Sequence, residues 1–177
     1  NFSSLAADAI DQAIEATAPD PVERHEPSEA VYLYLISQGW VLATIDTEGD
    51  RAIYQLGSHL GFNLLVDMSA VNYAFLGNFT HLRSEAVVWR AKMLSRAIDA
   101  RLASWPVRIE AGMLTEEQAK VAETVFRRFE VLLVVTGDPE KAAVEAALRA
   151  EPLNYTTRVI SLDDVRAELE ALGDVIA

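Results

Sequence analysis

The chain has no cysteine. Disulfides, thiolate zinc sites, iron–sulfur clusters and cysteine nucleophiles are therefore excluded. Histidine is nearly as scarce: His25, His59 and His81 are the only three, and their spacing matches no metal-ligand pattern. Long apolar runs are missing too. The longest, Ala30 to Ile36, is far too short to span a bilayer. No basic segment followed by an apolar stretch opens the chain, so no secretory leader is read, and the composition predicts a cytoplasmic protein.

Basic charge is also in short supply. Fifteen Lys and Arg stand against 27 Asp and Glu, for a formal net charge of −12. The imbalance is uneven: residues 1–60 hold ten acids and two bases, residues 61–105 three acids and five bases, and residues 106–177 fourteen acids and eight bases. Such a field repels a phosphate backbone over most of the surface, so nucleic acid is not the expected partner.

What is present is ordinary globular material. The 177 residues are 51% hydrophobic and 24% charged, enough for one domain with a self-sufficient core. Residues 1–20 read as an amphipathic helical arm, with Leu5, Ile10 and Ile14 on one face. A polar linker with three prolines over 18–28 follows, then a single α/β domain over 28–177.

Within that domain, residues 28–38 suit a helix ended by Gly39, and 40–46 a strand. For 51–60 two patterns compete. Ile53, Leu56 and Leu60 have helical spacing, which favours a short helix, while 51–56 alone would suit a returning strand. Residues 62–68 read as a strand, and Ser69 caps a short helical turn that Gly77 stops. Thr80 caps a long helix to about Leu102, apolar on two sides, and 106–110 reads as a short strand. Thr115 and Gln118 form a capping box for a helix to Phe129. Residues 130–136, with the run Val131-Leu132-Leu133-Val134-Val135, are the signature of a strand buried on both faces. Asp138 caps and Pro139 starts a helix to Ala150, 155–161 forms a strand, and Ser161 with Asp164 caps the last helix.

Alternating strands and helices predict an α/β fold: three layers, a mainly parallel sheet of about five strands, and helices on both faces. Residues 41–72 and 131–164 echo one another loosely in this reading.

Three residue groups could carry function. Asp46, Glu48 and Asp50 cluster after a strand, with Asp67 ending the next. Oxygen-rich clusters bind magnesium or manganese, which can activate water against a phosphodiester. The Asp46-Thr47-Glu48 run resembles the first motif of metal-dependent 3′–5′ exonucleases, which implies Asp46, Glu48 and Asp67 as catalytic ligands. The further acids and the His or Tyr of those enzymes are absent at recognisable spacing. Thr136, Gly137 and Asp138 form a strand-to-helix turn, where α/β folds bind small anions. Arg83, Arg90 and Arg101 lie near one line of the long helix, suited to a partner or nucleic-acid contact.

No convergent catalytic set is legible. The leading expectation is a non-catalytic interaction or regulatory module, without a cofactor, acting through a protein partner or self-association. The rivals are a metal-dependent phosphodiesterase and a small-anion binder at the Gly137 turn.

Overall fold

The computed structural model describes residues 29–43, 49–55, 60–69 and 72–176. The expected N-terminal arm lies outside them. The chain is an α/β protein built on one six-stranded mixed sheet. In chain order the elements are α1 (Glu29–Ser37), β1 (Val41–Leu42), β2 (Arg51–Gln55), β3 (Phe62–Asp67), β4 (Asn72–Asn78), α2 (Ser84–Glu110), α3 (Glu116–Arg128), β5 (Phe129–Val135), α4 (Asp138–Ala150), β6 (Thr157–Ser161) and α5 (Leu162–Ile176). The strand order follows the numbering, β1 to β6. β2, β3 and β4 form an antiparallel meander, whereas β1 pairs with β2, and β4, β5 and β6 with one another, in parallel. No described helix is long and apolar enough to cross a membrane.

The meander corrects the expected sheet of about five strands. Residues 51–55 are a strand, not the start of a helix. Ala52 and Ile53 point to opposite sides of the sheet and are both buried, so the alternation that marks a strand is hidden. Residues 72–78 are a strand instead of a helical turn. Tyr73, Phe75 and Gly77 face one way, and Gly77 is buried in β4 rather than ending a helix. A Cβ at Gly77 would overlap the Phe79 ring, so the glycine is there for a close approach. These two strands also remove the echo between 41–72 and 131–164.

The long helix is longer than expected. α2 runs through Pro106 to Glu110, where the sequence predicts a separate strand. Proline removes one helical donor. Trp105 offsets this by burying its ring in a stack on Phe126, centroids 5.4 Å apart, while Pro106 itself faces solvent. The helix starts at an Arg83 cap without a side-chain hydrogen bond, not at Thr80.

Local signals elsewhere match the structure. The Trp40 N–H donates to the Leu35 carbonyl and the Gly39 N–H to Ile36, closing α1 with Gly39 at φ 89°. Thr115 and Gln118 make the reciprocal capping box of α3, both bonds at 3.1 Å. β5 is buried almost throughout and runs between two parallel neighbours.

Successive strand residues divide between two apolar clusters. Phe62, Leu64, Val66, Phe75, Val131 and Leu133 join Val87, Leu94 and Ile98 of α2, Phe126 of α3 and Val144 of α4. Leu65, Leu76, Leu132 and Val134 join Val31 and Leu35 of α1 and Val165 of α5.

Candidate functional site

A cleft of about 440 Å3 opens beside α1, over the amino ends of β4, β5 and β6 and the carboxyl end of β3. Its floor is Leu65, Ala74 and Leu132. Sheet register sets Leu65, Ala74 and Glu130 in one row across three strands, and places Leu132 beside Arg158. Ala74 is the small member of that row, and its missing bulk leaves the space. Tyr34 of α1, with Gln38 and Trp40 just after the helix, forms the wall.

Arg51 ties the wall to the sheet. Its Nε lies 3.0 Å from Asp67 Oδ2, one Nη donates to the Gln38 carbonyl at the carboxyl end of α1, and its guanidinium sits 5.6 Å from the Trp40 ring centroid. A cation at a helix carboxyl end is favourably placed. Asp67 Oδ1 also accepts from the Ser69 N–H at 3.1 Å and the Ser69 hydroxyl at 2.7 Å. This buried carboxylate is thereby committed to structure.

Arg128 and Arg158 stand differently. Both line the cleft, both are exposed, and neither makes an ion pair among the described residues. Their charge reaches the neighbouring phenols. Burial raises the Tyr73 hydroxyl above its ordinary value, and Arg128 opposes that. Burial likewise raises Tyr34, where the Gln38 hydrogen bond and Arg158 pull down and Glu168 pushes up. Besides Asp67, Glu130 is the acid in its lining, and the cleft presents two guanidinium groups in a chain of net charge −12.

Of the residues singled out in the sequence, Asp46 and Glu48 lie outside the described residues. Asp50 is exposed, and its carbonyl accepts from the Met68 N–H. No group of three or more His, Asp or Glu able to hold a metal occurs among the described residues. The Gly137 turn is closed by its own side chains. The Thr136 hydroxyl donates to the Thr80 carbonyl, and Asp138 accepts from the Ser161 hydroxyl at 3.0 Å. Carboxylate oxygens of Glu140 and Asp163 stand 3.4 and 3.5 Å from where a Gly137 Cβ would be, a field that opposes an anion.

Arg83, Arg90 and Arg101 do not form one exposed face. Arg83 is exposed, but Arg90 donates to the Leu60 carbonyl at 2.7 Å and stacks on Phe79. Arg101 is buried, its Nε and one Nη have no hydrogen-bond partner, and burial, with Arg108 nearby, lowers it to about 10. The second apolar stripe of the expected long helix is mostly covered. Leu82 and Met93 pack against the first cluster, and Trp89 is left half exposed.

No protein-family model matches this chain, and neither does any curated protein or any solved structure.

Arg51, Arg128, Arg158 and Tyr34 escaped sequence reasoning. One signal was available: Glu130 and Arg158 are charged residues next to the apolar runs of their strands. A charge in such a run marks the place where one sheet face meets water.

Proposed function

We propose that this protein is a non-catalytic interaction module that receives an acidic group of a partner protein in the cleft beside α1. The observation that carries the reading is the pair Arg128 and Arg158, exposed guanidinium groups without ion pairs at a cleft with an apolar floor. Guanidinium groups bind carboxylates by paired, charge-assisted hydrogen bonds, and Leu65, Ala74 and Leu132 can shed water onto an apolar neighbour of that carboxylate. The two apolar clusters support a three-layer reading, with α2, α3 and α4 over one face of the sheet and α1 and α5 over the other. In that arrangement the cleft is the part of the second face that α1 and α5 leave open.

The test is a titration with an acetylated, amidated Glu-Leu-Glu-Glu peptide, followed by backbone amide shifts. Shifts are expected at Ala74, Glu130 and Arg158, weaker in high salt. The Arg128→Ala/Arg158→Ala double variant should weaken binding by about tenfold or more, and Ala74→Leu should fill the floor with the same result. Absent shifts at millimolar peptide and low salt would refute the reading.

The metal-dependent phosphodiesterase reading ranks behind, because it draws on Asp67 and that carboxylate is already held by Arg51 and Ser69. Thermal stabilisation by magnesium or manganese that is lost in Asp46→Asn would reverse this order.

A further inference from the structure

β6 ends the sheet, with β5 its only partner strand among the described residues. The Val131 N–H donates to the Thr156 carbonyl at 2.9 Å, and Val131 stands opposite Thr157 in parallel register. In a parallel ladder this alternation turns the main chain of Thr156, Arg158 and Ile160 toward β5. The N–H and C=O groups of Thr157 and Val159 therefore point away from the sheet. The next outward N–H, that of Ser161, is already used, donating to Asp164 at 2.9 Å. An edge of this kind is a template for another strand.

Beside it lies a groove of about 490 Å3 between α4 and β6. Leu148, Leu153 and Val159 give it an apolar floor. Lys141, Arg149 and Arg158 outnumber Glu145 around it, against the overall charge of the chain. Arg158 borders both this groove and the cleft beside α1.

We infer that β6 is the docking edge for an extended segment of a partner protein in which acidic and apolar side chains alternate. The segment adds as a further strand, exchanging main-chain hydrogen bonds with Thr157 and Val159. Its apolar side chains enter the α4 groove beside Val159. Its acidic ones fall on the opposite face, next to Arg158. Charge complementarity selects this occupant over a second copy of the chain, which would set its own Arg149 and Arg158 against these. This inference rests on the interaction-module reading and adds the conformation of the partner.

The experiment uses an acetylated, amidated Glu-Val-Glu-Val-Glu-Val peptide, with two further versions N-methylated at alternate residues in the two phases. Binding should shift the Thr157 and Val159 amides and slow their exchange with deuterium. One N-methylated phase should fail to bind. Thr157→Pro removes an N–H that β5 does not use, so the sheet should survive, yet affinity should fall by about tenfold, one net main-chain hydrogen bond. Arg158→Glu should weaken binding at least as much and does not depend on tolerance of proline. Equal binding by both N-methylated peptides, or no loss in Arg158→Glu, overturns strand addition. A dimer seen by light scattering and abolished in Thr157→Pro overturns the choice of partner. Shifts confined to Ala74 and Glu130 remove strand addition and leave the module reading standing, whereas shifts nowhere remove both.

Discussion

The two ends of the β5–β6 pair are built from the same residue types and do opposite things. At the carboxyl end, Thr136, Asp138, Ser161 and Asp164 spend their side chains on the protein itself. Fully buried Ser161 donates its hydroxyl to Asp138 and accepts from the Asp164 N–H at 3.1 Å, and Asp164 in turn holds Lys141 at 3.2 Å. At the amino end, Arg128 and Arg158 face an open cleft without ion pairs among the described residues. Parallel sheets commonly bind ligands at their carboxyl edge, where helix amino termini offer unpaired N–H groups. Here aspartates and a glutamate crowd those termini and invert the local field. The difference is that one end uses its polar side chains within the fold, whereas the other leaves two guanidinium groups facing solvent.

Paired substitutions at the two ends test this contrast. The largest effect is expected for Arg51→Met. Asp67 is only 7% exposed in its side chain, so losing its cation should cost about 2 kcal/mol, discounted because Arg51 itself is 44% exposed. Urea denaturation measures it, and a midpoint equal to that of the native chain would show the Arg51–Asp67 tie to be idle. Ser161→Ala, at the closed end, should cost about 1 kcal/mol by uncapping α5, and should leave titration with the acidic peptide unchanged. A binding defect in that variant would erase the distinction between the ends.

A pH effect comes next. The Ser161 backbone N–H, and then Lys141, hold the Asp164 carboxyl below its ordinary value. A depressed folded pKa gives stability that is present above the usual carboxylate range, about 4, and fades as pH falls through the lower folded value. The cost of Asp164→Asn should therefore be visible at pH 7 and shrink at pH 3; a constant cost at both would rule out this linkage. The smallest change belongs to Lys141→Met, within about 0.5 kcal/mol, since both partners of that pair are a third or more exposed. If it equals Arg51→Met, burial does not separate the two ion pairs.

Legibility followed locality. Gly39 closing α1, the Thr115 and Gln118 box, the Ser161 and Asp164 box and the Val131–Val135 run are all read within a few residues, and each stands in the structure as expected. Pro106 misled because its cost is offset by Trp105 stacking on a residue of another helix. Ile53 misled because its neighbour Ala52, on the opposite side of the sheet, is buried too, which hides the alternation. The candidate site was the least legible part. Arg51 meets Asp67 only through the β2–β3 pairing, and Arg128 reaches the neighbourhood of Arg158 only because β5 lies beside β6.

By itself the chain determined its class, its acidic surface, the absence of thiol chemistry and the helix ends, since these depend on composition and on contacts a few residues apart. Only the tertiary structure decided the antiparallel meander, the open edge at β6 and the gathering of arginines at one end of the sheet. Those depend on register between strands distant in sequence, and register is chosen by the joint burial of many side chains, which no short stretch of residues can encode.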